Sequence, residues 1–268
     1  EINLLEECLK LPDRELGEFS VFGIREIFSK RLELKRKIKL SLTARQRHHD
    51  FYANYLKCDR LPIRLLRALD EKEREAFSGC MVGARHSKQK CHAIIPITRE
   101  LMHFLGLYVA EGNTRSSMCG SSLSFGFHEN ELIEYSRVLV EKVFGFRPCA
   151  QRAHRTAVNV ILPSTLSFVL KNVFQCGVRA SQKKVPGIAF NCHRELAREF
   201  LFAYLAGDGY PSARIFAKLI KGELDLKEKI TLATASQDLF IGLQYVLSGL
   251  GYSYSASEKK EEPRAINS

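Results

Sequence analysis

Two short stretches constrain this chain more than anything else in it. They are residues 104–112 (FLGLYVAEG) and residues 201–209 (LFAYLAGDG). Each is an apolar run closed by one acid and a glycine. Each carries two small residues four apart, Gly106 and Ala110 in the first, Ala203 and Gly207 in the second. Residues four apart share a helix face, and a face of Gly and Ala lets a second helix backbone come close, as in small-xxx-small pairs of membrane helices. Neither run reaches the roughly 18 apolar residues of a membrane span. The two helices are therefore expected to pack on each other and to bring Glu111 and Asp208 together at their ends. Positions 111 and 208 are 97 apart, a length suited to one repeated half of a domain.

An acid at a helix C-terminus is disfavoured by the helix dipole, so the placement of Glu111 and Asp208 points to something other than stability. The two runs resemble the LAGLIDADG (dodecapeptide) homing endonucleases, and in particular the endonuclease part of archaeal inteins. Leu205-Ala-Gly-Asp-Gly209 is close to the family motif, and Val109-Ala-Glu-Gly112 is its variant with Glu for Asp. The resemblance covers roughly residues 94 to 268.

The resemblance implies an α+β fold of two pseudo-symmetric αββαββ(α) halves that form a β-saddle. Its strands would lie along the major groove, with the motif helices between the halves and the chain acting as a monomer with an internal pseudo-twofold axis. It implies a site-specific double-strand DNA endonuclease that hydrolyses one phosphodiester per strand. Hard divalent cations held by carboxylates activate water and relieve charge on a leaving oxygen. Mg²⁺ is the expected ion, at a site comprising Glu111, Asp208, Gly112 and Gly209. In intein endonucleases a lysine in the connector just before a proline reaches the active site. Lys183-Lys-Val-Pro186 matches that pattern, so Lys183 and Lys184 are both candidates to stabilise developing phosphorane charge.

The formal net charge of +11 argues for a polyanionic partner, here double-stranded DNA. No amphipathic anchor or lipidation motif favours a membrane. The first residues are acidic where a signal peptide needs a basic segment. The eight cysteines contain no Cys-x-x-Cys pair, which fits reduced thiols in an intracellular, cytoplasmic and nucleoid-associated protein. Cys80, His86, Cys91 and His92 follow no standard zinc spacing.

Along the chain, residues 1–70 are expected to form a small, mostly helical basic region. Between positions 25 and 67 stand thirteen Lys or Arg against four acids. Two readings remain open: a helix-turn-helix-like unit that places Arg45 and Arg47 on DNA, or a basic helical linker. Residues 71–93 are polar and irregular and read as a linker. The first half spans 94–193: a motif helix capped by Thr98, a strand at 121–128, a helix at 130–144, strands at 149–154 and 157–162, and a helix at 164–174. The second half spans 194–268: a motif helix from 194, strands at 212–216 and 230–235, a helix at 237–250 and a strand at 252–257. Sixty residues follow Asp208, so this half is expected to be truncated at its C-terminus.

Exposed strand residues are the candidates for base readout, since Arg suits guanine and Asn or Gln suits adenine. They are Arg115, Gln151, Arg152, Arg155, Asn159 and Arg214. The competing reading is a nucleic-acid binder that does not cleave, either a degenerate endonuclease or an intron maturase-like RNA binder. An intein would open with Cys or Ser and close with His-Asn. This chain opens with Glu1 and ends Ala265-Ile-Asn-Ser268, so self-splicing is not expected.

Overall fold

Asn3 caps the first helix: its side-chain oxygen accepts from the amides of Leu5 and Glu6 at 3.1 and 3.3 Å, satisfying donors that a helix start leaves open. The computed structural model describes residues 1–17, 19–43, 46–114, 120–210, 212–223 and 229–257. The chain begins with β1 (Ile2–Asn3), α1 (Leu4–Leu9) and, after Pro12, α2 (Asp13–Leu16). Then come β2 (Phe19–Phe22), α3 (Ile24–Lys30), α4 (Leu32–Ser41) and a π-helical segment, Gln46–Leu56. β3 (Arg60–Pro62) leads through a 3-10 turn, Ile63–Ala68, to α5 (Glu71–Arg74), where Asp70 and Glu73 form a capping box. β4 (Met81–Ala84), β5 (Cys91–His92) and β6 (Ile94–Ile95) complete this part.

This amino-terminal region differs from its sequence reading in two respects. It carries an antiparallel sheet of order β3-β2-β4-β5 among the helices that make up most of residues 1–70, and it is not a helix-turn-helix: a strand, β3, follows the π-helical segment. Residues 71–93 are not a linker, because they supply β4 and β5 to that sheet. The physical reason is strand length. Strands of two to four residues are too short to display a period of two, and their partners lie far away in sequence, as in Val21 opposite Leu61 and Val82. The sheet docks on the rest of the protein through Phe19, whose ring stacks on Phe168 at 4.1 Å. Thr165 fixes the join, its hydroxyl accepting from Ala84 N at 3.1 Å and donating to Gln89 O at 2.8 Å.

The first repeat follows the expected order. α6 (Arg99–Glu111) is capped by Thr98, which accepts from Leu101 N at 3.3 Å. After it come β7 (Gly112–Thr114), β8 (Ser121–Gly126), α7 (Asn130–Phe144), β9 (Cys149–His154), β10 (Ala157–Leu162) and α8 (Ser164–Phe168), which runs on as a π-helical turn, Val169–Val173. The strands form one antiparallel sheet of order β7-β8-β10-β9. Leu123, Phe125, Val160 and Leu162 are buried on its inner face. A 3-10 turn, Ala180–Gln182, and the short α9 (Ile188–Asn191) lead to α10 (Arg194–Asp208).

The second repeat departs from expectation. Residues 212–216, read as a strand, belong to α11 (Ser212–Lys221). Apolar residues at 215, 216 and 219 are buried together, the spacing of a helix face, and Phe216 packs edge-on to Tyr135 of α7 at 5.5 Å. Residues 230–235 contribute one bridge, Tyr210 to Thr231, and residues 252–257 form no ladder among the described residues. α12 (Gln237–Gly249) stands where a helix was expected. The fold is α+β, and among the described residues the four-stranded sheet β7-β8-β10-β9 is built wholly from the segment that follows α6.

Candidate active site

α6 and α10 approach as closely as backbones allow. A Cβ on Gly106 would lie 2.4 Å from Phe200 O and 2.8 Å from Ala203 Cβ, and one on Gly207 would lie 2.6 Å from Ala110 Cβ. Gly106 thus faces Ala203, and Ala110 faces Gly207. Both pairs are 97 positions apart, as are Glu111 and Asp208. A contact in which each residue meets its own repeat equivalent is the signature of a twofold relation. The axis runs between the helices, and the two acids end them side by side.

The environment of the acids is unusual for ordinary carboxylates. Burial, then Asp208 and Glu129, push the Glu111 carboxyl up to about 7, opposed by Lys183. Among the described residues no hydrogen bond or salt bridge reaches the Glu111 carboxylate. Burial also raises Asp208, with the Tyr204 hydroxyl, which donates to it at 3.1 Å, and Lys183 acting the other way. Two carboxylates raised by burial, Glu111 half-buried and unpaired and Asp208 more exposed, leave negative charge that a cation would neutralise.

Lys183 supplies part of that compensation. It is 3% exposed. Its ammonium donates to Tyr108 O at 2.7 Å and lies 4.2 Å from the centre of the Tyr108 ring. Burial lowers it to about 8, with Cys176, Glu111 and Asp208 acting the other way. The neighbouring candidate is turned away: Lys184 is exposed and pairs with Asp238 at 2.8 Å. The structure therefore brings Lys183, not Lys184, to the acids. Ser236, the α12 cap, donates to the Lys183 carbonyl at 2.6 Å while accepting from Leu239 N at 3.2 Å, which holds the connector in place.

Gly112 and Gly209 follow the acids directly. Gly112 opens β7, so the first acid leads into the sheet. The register puts Asn113, Ser124, Asn159 and Gln151 on the outer face: Asn113 opposes Ser122, Ser124 opposes Asn159, and Asn159 opposes Gln151. Asn113 donates to Ser124 at 3.3 Å, and Ser124 donates to Asn159 at 3.0 Å. Asn159 and Gln151 thus share a polar outer face. Arg152 does not: it opposes Val158 and alternates to the other side at the sheet edge, donating to Arg155 O at 3.1 Å. Arg155 lies in the exposed β9–β10 turn. Arg214 sits on α11 rather than on a strand. Arg45 and Arg115 lie outside the described residues, and Arg47 is placed only by its backbone in the π-helical segment.

Sequence reasoning missed Tyr204 and Tyr108. Their signal was available: a polar-tipped aromatic inside each otherwise apolar motif run needs a partner for its hydroxyl. Tyr204 finds Asp208, and Tyr108 finds Thr114 at 2.5 Å. A buried cluster also braces the far end of the helix pair. His103 meets the Tyr135 hydroxyl and Glu199 at 2.5 Å each, and Arg99 meets Glu199 at 3.1 Å and donates to Leu219 O at 3.0 Å.

No protein-family model matches the chain. It is 30% identical over 216 residues to the DNA polymerase II large subunit of Thermococcus kodakarensis, covering 77% of this chain and 12% of that protein. A DNA polymerase of Thermococcus aggregans is 28% identical over 171 residues, covering 62% of this chain and 8% of its own length. A DNA polymerase of Thermococcus hydrothermalis is 27% identical over 187 residues, 67% and 10% respectively. The chain is thus similar to short segments of archaeal DNA polymerases and spans 8–12% of the length of these relatives. Among the described residues no helix is long and apolar enough to cross a membrane.

Proposed function

We propose that the chain is a divalent-cation-dependent, site-specific double-strand DNA endonuclease of intein origin, in the manner of the LAGLIDADG family. The observation that carries this reading is the equivalence of Glu111 and Asp208 across the α6–α10 contact. Similarity to short segments of much longer DNA polymerases supports an origin as an inserted element. The reading places the protein inside the cell, acting on genomic DNA as a monomer.

The donor set fits Mg²⁺. Among the described residues no group of three or more His, Cys, Asp or Glu could hold a metal ion. Mg²⁺ commonly takes one or two carboxylates and completes its shell with water and substrate phosphate oxygens. Glu111 and Asp208 would hold it, with the backbone at Gly112 and Gly209 adjoining. When bound, the ion supplies a more acidic water and relief of charge on the leaving oxygen. Lys183 offers a buried positive charge beside the acids, positioned by Tyr108 and Ser236, for a phosphorane oxygen. Tyr204 orients Asp208. The outer face of the sheet, with Asn159 and Gln151, would meet base edges.

A second reading is a nucleic-acid binder that does not cleave, whether a degenerate endonuclease or a maturase-like RNA binder. It is favoured by the lack of a second saddle sheet among the described residues. A plasmid carrying an uninterrupted polymerase II large-subunit gene, incubated with Mg²⁺ and either the protein or its Glu111→Gln and Asp208→Asn variants, separates the two. Linear product from the parent and none from the variants supports the nuclease. Salt-sensitive binding without any cutting by the parent sinks it.

A further inference from the structure

Some of the cations between residues 25 and 67 are paired with acids and some are not. Arg25 meets Asp59 at 3.5 Å and Lys30 meets Glu26 at 2.6 Å, while Lys37 pairs with Glu73 and Arg67 with Asp13. Among the described residues Lys35, Lys39, Lys57, Arg60 and Arg64 form no salt bridge with an acid.

Four of these five gather at the two tyrosines of the π-helical segment. Lys39 donates to the Tyr52 hydroxyl at 2.9 Å and sits 4.8 Å from the centre of its ring. The Tyr52 phenol is held below its ordinary range by Lys39 and, more weakly, by Lys35. Burial and then Asp50 raise the Tyr55 phenol, with Arg64 and Arg60 acting the other way. Asp50 is on the same segment, where Asn54 donates to it at 2.9 Å. Tyr52 is 48% exposed.

Lysines, arginines and tyrosine hydroxyls on one surface suit phosphate oxygens, which take most protein–DNA hydrogen bonds and carry no sequence information. Because β3 follows the π-helical segment, no second helix is presented as a helix-turn-helix would present it. We propose that this surface is a second nucleic-acid contact, built from residues other than the acid pair, which grips the phosphate backbone of duplex DNA. It rests on the endonuclease reading only for the choice of DNA as the polyanion.

The test is fluorescence anisotropy of the full chain on an unrelated duplex of about 40 base pairs, without divalent cation, across about 50 to 200 mM salt. Each lost phosphate contact should reduce the slope of log K against log salt by about 0.9. Lys35→Gln/Lys39→Gln/Arg64→Gln should bind about tenfold or more weakly at the low-salt end, with a slope shallower by about 2 to 3. Arg64→Gln alone, at an exposed position, is the second variant and should lose about 0.9 in slope with an unchanged melting temperature. Unchanged affinity and slope in both variants overturn the proposal. So does unchanged DNA binding with lost binding to phosphatidylserine vesicles, an outcome that Leu32 and Leu40, 65% and 64% exposed on the same helix, would favour. Because the assay reads binding alone, a protein that never cuts DNA leaves it interpretable.

Discussion

Gly207 lies against Ala110 so closely that a methyl group added to it would stand 2.6 Å from the Ala110 Cβ. Interpenetration of this kind tolerates no extra atoms, because a packed interface answers added volume with backbone shifts. Gly106→Ala, which would push 2.4 Å from Phe200 O, should cost about 1–3 kcal/mol. Thermal denaturation should show a fall of several degrees in Tm. Gly79→Ala, whose new Cβ would meet nothing within 4 Å, is the control and should leave Tm nearly unchanged.

Lys183 and Lys184 are adjacent in sequence and opposite in environment. Lys183→Met should lower cleavage by at least about a hundredfold, while Lys184→Met, which breaks only an exposed pair with Asp238, should change it less than about threefold. Single-turnover rates on a linear target would separate them, with circular dichroism confirming that both fold.

Glu111 couples pH to both stability and cation binding. Its folded value of about 7 lies above the ordinary 4.5, so the folded state binds the proton more tightly than the unfolded one. Stability is therefore favoured below pH 4.5 and declines as pH rises to about 7. Glu111→Gln should then gain about 1–3 kcal/mol at pH 8 and almost nothing at pH 4, measured by urea unfolding. In the same region Ca²⁺ affinity should fall by up to about tenfold per unit below pH 7, since the acid must lose its proton. Calorimetry in buffers of different ionisation enthalpy would detect the released proton.

On the sheet, Asn159 and Arg152 should fail in different ways. Asn159→Ala, on the outer polar face, should relax preference at one base pair by about 1–3 kcal/mol. Arg152→Ala, on the opposite side at the edge, should leave base preference unchanged. Competition binding against a library of single-base variants would show it.

Removing the bracing cluster should be costly. His103→Ala leaves Tyr135 and Glu199 without their buried partner and opens a cavity, for a loss of about 2–5 kcal/mol by urea denaturation. His103→Gln, able to bond one partner, should recover part of it.

How far the sequence could be read depended on locality. The α7 helix and the β9–β10 pair announce themselves within their own residues, so their bounds were legible. The short strands β2 to β4 exist only because partners from distant parts of the chain arrive beside them. Residues 212–216 were read as a strand by analogy with the first repeat, although Ile215, Phe216 and Leu219 already had helical spacing. The acid pair was legible because four small residues in two runs dictate a close crossing. Which of two neighbouring lysines turns inward was not, since successive side chains of the extended connector leave in different directions.

The Tyr204 hydroxyl steadies Asp208, while Glu111 has no equivalent support among the described residues. The site is therefore symmetric in outline but not in chemistry. Should it cut DNA, the two strands would be severed at unequal speeds, and singly nicked circles would accumulate before linear ones. Replacing Tyr204 by Phe would narrow the gap between the two rates.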